Sequence, residues 1–195
     1  MTETATARRS GAASRERFIA TTARLLQRQG YAATGLSEIV AASGAPKGSL
    51  YFHFPGGKEE LAAAAIASAG AQLRDAIATV FASADDVAAA IAGLIDALAA
   101  GLAASDYRGG CPIATVALER AGDSPLLRER TAQAFDSWLD AIAARLRAGG
   151  LSRARAERRA LLVLSAIEGA LILARAGRDP GPLQAVREEL AELLA

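Results

Sequence analysis

The sequence predicts an all-α protein, and three observations predict it. Apolar residues make up 52% of the 195 positions, and much of that share is alanine, which favours helix and adds little volume to a core. Apolar positions recur at three- and four-residue spacing, whereas no run alternates β-branched and polar residues between turn signals. Glycine or proline stands at most of the breaks between periodic stretches, which divides the chain into about nine helices.

The first helix is expected from about Ser14, a residue able to cap it, to Gln29. Phe18, Ile19, Thr22, Ala23, Leu25 and Leu26 share one face, and Gly30 is a natural stop. Ahead of it, MTETATARRSGAASRER carries charge without an apolar core. It is expected to be no signal peptide but a disordered basic arm over residues 1–13. A short second helix spans about Ser37 to Ser43, with Leu36, Ile39 and Val40 inward and Gly44 at its end. A third covers about Lys47 to Phe54, with Leu50 and Phe54 one turn apart, before Pro55-Gly56-Gly57 breaks the chain.

Helix four is expected from near Lys58 to about Phe81, with Glu59 and Glu60 in the first turn, where acidic groups suit the helix dipole. Helix five runs from about Asp85 to Ala104, with Asp85 and Asp86 as capping residues, and residues 105–111 form a loop. Helix six is short, about Pro112 to Ala121. Ser124-Pro125 supplies a cap followed by proline at the first helical position, opening a seventh helix that Gly149-Gly150 stops after about Arg147. Helix eight covers about Arg153 to Ala176, and helix nine about Pro182 to Leu194. The expected organisation is an arm (1–13), a three-helix domain (14–57) and a helical bundle (58–195).

Composition narrows the function classes. A lone cysteine, Cys111, excludes an internal disulfide and a cysteine-cluster metal site, and suits a reducing cytoplasm. The longest near-apolar stretch, Ala160 to Ala174, contains Ser165, Glu168 and Gly169 and falls short of the roughly 18 to 20 residues a membrane span needs. A soluble, cytoplasmic protein is expected. Net charge is +1, unevenly spread: the first sixty residues hold eight basic and five acidic side chains, so the rest carries a small negative balance. The basic end is where a polyanion would be met. The only histidine, His53, lies in the third helix, and no H-E-x-x-H or phosphate loop is present. An enzyme is therefore not expected, nor a cofactor or a metal.

The second and third helices, joined by a turn containing glycine, fit a helix-turn-helix. Small Ala41, Ala42 and Gly48 allow close packing, and Ile39, Val40, Leu50 and Phe54 hold the pair to the first helix. Phe52 and Phe54 are assigned to a small aromatic core, which leaves Lys47, Ser49, Tyr51 and His53 on the outer surface. The second helix of such a motif enters the major groove, where Lys47 can donate to guanine or phosphate, and Ser49 and Tyr51 can bond either.

Gly30-Tyr31, Thr34, Ile39-Val40, Gly44 and Gly48-Ser49-Leu50-Tyr51-Phe52-His53-Phe54, followed by Lys58-Glu59-Glu60-Leu61, resemble the TetR/AcrR family of transcription regulators. The resemblance covers about a quarter of the chain. It implies an operator-reading third helix, with Thr34, Tyr51 and Lys58 at phosphates. Gly109-Gly110-Cys111-Pro112-Ile113 and Ala117-Leu118-Glu119 resemble the LmrA/YxaF-type branch of that family. Ala45-Pro46 stands where many relatives carry valine and serine, so no operator preference is carried over. The expected DNA-binding set is Thr34, Lys47, Gly48, Ser49, Tyr51, His53 and Lys58.

Helix eight is apolar on nearly every side, so a face its own bundle cannot cover wants a partner, and a twofold homodimer supplies one. Leu161, Leu164, Ser165, Glu168 and Ile172 are the expected interface. Glu168 either pairs with an arginine across it or faces a pocket. Bulky residues amid alanines can fill an ordinary bundle core or enclose an apolar effector site, and the resemblance implies that some of them line such a site. Its candidates are Phe81, Tyr107, Cys111, Phe135 and Trp138, with Thr115, Glu119 and Gln133 as polar anchors. Cys111 reads first as a small buried hydrophobe, then as a redox-sensing thiol, last as an intersubunit disulfide partner. The function expected is a homodimeric repressor, released from operator DNA by a small lipophilic molecule.

Overall fold

The computed structural model describes residues 2–194, with side chains from Gly11 onward. Among these residues nine α-helices and no strand are found: α1 (Thr2–Ala33), α2 (Leu36–Ser43), α3 (Lys47–His53), α4 (Gly57–Ser83), α5 (Val87–Ala104), α6 (Pro112–Arg120), α7 (Pro125–Ala148), α8 (Arg153–Gly177) and α9 (Gly181–Leu194). The all-α expectation and the order of elements hold.

The main difference is at the start. α1 begins at Thr2, so residues 2–13 continue the helix where a disordered arm is expected. That stretch has four alanines, two arginines and no proline, so nothing in it stops the helix from continuing, although three threonines and Gly11 weaken its propensity. Ser14, expected as a cap, is buried within the helix instead. Met1 and the side chains of Arg8 and Arg9 lie outside the described residues. At the other end Gly30 interrupts α1 with φ 79° and ψ −179°, a region essentially reserved for glycine. Gly44 ends α2 at φ 61°, as a left-handed C-cap. Asp86 caps α5 by accepting from the Ala89 N–H at 2.7 Å. Ser124 caps α7 by accepting from Leu127 N–H at 3.1 Å.

The chain divides into two compact units. The first joins the residues up to Ala69 with Pro112–Ala132, and within it α6 packs on α1. Its core is Phe18, Ile39, Ala45, Leu50, Phe54 and Leu61, with Ile19, Leu25, Leu36 and Val40 against it. Phe18 and Phe54 meet edge to face at 6.5 Å. The second unit comprises Gly70–Cys111 and residues 133–195. There α9 packs on α5 and α8. Trp138, fully buried, donates its indole N–H to the Gly70 carbonyl at 2.9 Å and takes Phe135 edge to face at 5.5 Å.

By length and composition α5 and α8 are each long and apolar enough to cross a membrane, a correction to the expectation that no stretch suffices. In α5 a single charged residue, Asp96, stands among eighteen otherwise apolar and small positions, and the apolar stretch of α8 tolerates Arg175, which flanks Ala160–Ala174.

Candidate nucleic-acid interface

The geometry of α3 follows from two buried side chains. Leu50 and Phe54 face the core, and at about 100° per residue they set the phase of every other position. Lys47, Gly48, Tyr51 and Phe52 are exposed, whereas Ser49 and His53 are half-buried. Lys47 and Tyr51 lie one turn apart, as do Gly48 and Phe52, giving two adjacent lines on one outer face. Tyr51 is 52% exposed and Phe52 81%.

This corrects two assignments. Phe52, expected in the core with Phe54, points into solvent. His53, expected on the outer face, has its ring beside Gly11 of α1, where a glycine Cβ would lie 3.8 Å from the imidazole. The sequence carried the signal: Phe52 stands about 200° around the helix from Leu50, opposite the core.

The turn before α3 is held by Ser43, whose hydroxyl donates to the Val40 carbonyl at 3.0 Å and accepts from Ala45 N–H at 3.2 Å. Pro46 is the N-cap, with no side-chain cap bond. The acidic groups nearby are engaged within the unit. Glu38 accepts from Gln29 at 2.8 Å, Glu60 accepts from Gly56 N–H at 2.8 Å, and Glu59 accepts from the Ser124 hydroxyl.

Thr34 and Lys58, expected at phosphates, are placed otherwise. Thr34 is fully buried, and its hydroxyl donates to the Gly30 carbonyl at 2.6 Å. That bond satisfies the carbonyl where Gly30 breaks α1. Lys58 sits half-buried with its ammonium 4.1 Å from the centre of the Tyr31 ring, a cation–π arrangement that the Arg120 guanidinium joins at 5.3 Å. Burial pushes the Lys58 ammonium below its ordinary range. Glu119 opposes that shift and Arg120 adds to it. Burial also raises the Tyr31 phenol.

Glu119 and Thr115, expected as polar anchors of an effector site, belong to the same cluster. The Ala32 N–H donates to Glu119 Oε2 at 2.7 Å, and Glu119 Oε1 fills the space a side chain at Gly30 would need. Phe81, Tyr107, Cys111, Phe135 and Trp138 belong to the second unit. Trp138 is used structurally by Gly70. Tyr107 has φ 56° and lies under the Arg178 guanidinium, which also pairs with Asp106. None of the expected pocket residues lines the groove of about 260 Å³ that Leu162, Ala166, Val186, Glu189, Leu190 and Leu193 form on α8 and α9.

On α8 the expected interface splits. Leu161, Ser165 and Ile172 are exposed, together with Leu162, Gly169 and Leu173. Leu164 is half-buried, and Glu168 turns to Cys111, with which its carboxyl shares a hydrogen bond. Burial raises the Glu168 carboxyl above its ordinary value, and the thiol bond partly opposes this.

The chain is similar to known transcription regulators over most of its length. Residues 18–65 match the bacterial regulatory proteins of the tetR family, and residues 87–189 match the C-terminal domain of LmrA/YxaF-like transcriptional regulators. An uncharacterized HTH-type transcriptional regulator of Mycobacterium tuberculosis is 38% identical over 187 residues, spanning 92% of this chain and 93% of its own. The HTH-type transcriptional regulator LmrA of Bacillus subtilis is 35% identical over 181 residues, 93% of this chain and 96% of its own. The crystal structure of a TetR transcriptional regulator from Chloroflexus aurantiacus superposes with a TM-score of 0.78 at 34% identity, over 94% of this chain and 95% of that one. These relatives are transcription regulators, not enzymes.

Proposed function

The chain belongs to the TetR family of helix-turn-helix transcription regulators, and from that premise we propose that it is a cytoplasmic homodimeric repressor, released from a double-stranded operator by a small lipophilic molecule. The observation that carries the DNA-reading half is the outer face of α3, where Lys47, Gly48, Tyr51 and Phe52 stand exposed above a helix phased by Leu50 and Phe54. Lys47 and Tyr51 supply donors to phosphates and base edges, and the glycine lets the helix approach the groove closely.

Dimerisation is supported by α8. Leu161, Leu162, Ile172 and Leu173 are more than half exposed, around a glycine with nothing near its Cβ position. Burying the exposed half of four such side chains is worth about 3–6 kcal/mol per protomer. Two copies of α3 would then meet half-sites about one DNA turn apart, roughly 34 Å. Release by an apolar molecule is supported by the Glu168–Cys111 pair, a largely buried polar contact between apolar stretches of the second unit, of the kind that orients a ligand in a mostly apolar site. Such a ligand acts only through a difference in affinity between the DNA-bound and released states.

Titrating the full-length protein into labelled duplex from the region flanking its own gene tests the central claim. Binding that weakens steeply with salt, because phosphate contacts release counterions, is the expected result. Absence of binding at low salt to all such DNA would overturn it.

A further inference from the structure

We infer that Phe52 reads the C5-methyl group of a thymine in the operator, an inference that rests on the DNA-binding function proposed above. Phe52 is a large apolar side chain left 81% exposed on the face of α3 opposite Leu50 and Phe54. Folding gains nothing from it there, since an apolar side chain stabilises a fold only by leaving water. Its ring meets the His53 ring edge to face at 5.1 Å, and His53 lies beside Gly11 of α1.

The chemistry of the ring selects its contact. Tyr51 next to it carries a hydroxyl and can bond a phosphate, but a phenyl group neither donates nor accepts. Seating it on a polar base edge would strip that edge of water without replacing the bond. The major groove offers one apolar group on the bases, the thymine methyl. Gly48 stands one turn before Phe52 on the same line, with nothing within 4 Å of its Cβ position, so no side chain beside the ring keeps the helix away from the base edges. The polar line of Lys47 and Tyr51 then positions the helix, and the apolar line of Gly48 and Phe52 distinguishes thymine from the other bases.

The test uses the full-length protein and a duplex selected by it from a random-sequence pool. Each thymine of that duplex is replaced singly by deoxyuridine, which lacks only the methyl, and affinity is read by fluorescence anisotropy. At one thymine in each half-site the loss should be about fourfold, the value of one buried methyl, and about fifteenfold when both are replaced. Phe52→Ala should bind the unmodified duplex more weakly by a similar factor and become indifferent to the same replacement. Phe52→Leu should retain the thymine preference, which guards against a general defect in the alanine variant. If no thymine is sensitive, or if Phe52→Ala keeps the sensitivity, the ring contacts sugar or nothing, and the inference falls while DNA binding stands. If the pool yields no bound duplex at any salt concentration, the DNA-binding function falls, and this inference with it.

Discussion

Replacing Gly30 by alanine perturbs one backbone position and one ion contact together. With φ 79° and ψ −179°, Gly30 occupies a region whose strain for an L-residue is about 1–3 kcal/mol. An added Cβ would lie 2.0 Å from Glu119 Oε1 and 3.3 Å from Thr115 Cγ2, so the Glu119 carboxylate must swing away. In doing so it abandons the 2.7 Å bond from Ala32 N–H, a contact to a charged group worth about 1.5 kcal/mol at an exposed site. Gly30→Ala should therefore destabilise by about 3–4 kcal/mol, and Glu119→Ala alone by about 1.5 kcal/mol. In the Glu119→Ala background the clash is gone and only backbone strain is left, so Gly30→Ala should cost about 1.5 kcal/mol less than in the wild type. Urea unfolding of the four proteins at one protein concentration completes the cycle. Additivity within about 0.5 kcal/mol would refute the coupling. A Gly30→Ala cost under about 1 kcal/mol would refute the strain itself.

Further outcomes are expected at the other features. Lys47→Ala and Tyr51→Ala should each weaken operator binding, leaving the sedimentation coefficient of the free protein unchanged; loss of the dimer on either substitution would mean α3 is not the DNA-reading helix. Ile172→Glu combined with Leu173→Glu should yield monomers by analytical ultracentrifugation with helicity retained, since it places charge on the exposed face of α8. Trp138→Phe removes the indole donor to the buried Gly70 carbonyl and should lower stability by about 1–3 kcal/mol, read by chemical unfolding.

Glu168 gives a pH dependence. Its carboxyl is raised above 4.5 in the folded protein, so the folded state binds that proton more tightly than the unfolded chain does. The contribution is full below 4.5 and is lost as pH rises through the raised folded value. Glu168→Gln should leave stability flatter across that window, with unfolding midpoints converging on wild type at low pH and exceeding it at neutral pH. Parallel profiles for the two proteins would show that Glu168 is not titrating under burial.

The helices and their order were legible because local rules govern them. Gly30, Gly44, Asp86 and Ser124 act at their own turn, through backbone angles or a bond to a residue three positions on, so their neighbours in sequence are also their partners. The buried pair Leu50 and Phe54 was legible for the same reason. Glu119 could not be placed so, because its partner Ala32 is 87 residues away and nothing in the pattern around Pro112 announces α1. Trp138 and Gly70, 68 residues apart, are a similar case, as is the turn of Glu168 toward Cys111.

The sequence by itself determined an all-helical chain, a helix-turn-helix between about residues 37 and 54, and its likeness to one family of regulators. Short-range periodicity and turn chemistry suffice for that. Only the tertiary structure decided which side chains the motif presents. It took Thr34 into the core, laid Lys58 on Tyr31 and drew His53 toward α1. Exposure is set by what packs against a residue from elsewhere in the chain, and that partner is not encoded in the residue's own neighbourhood.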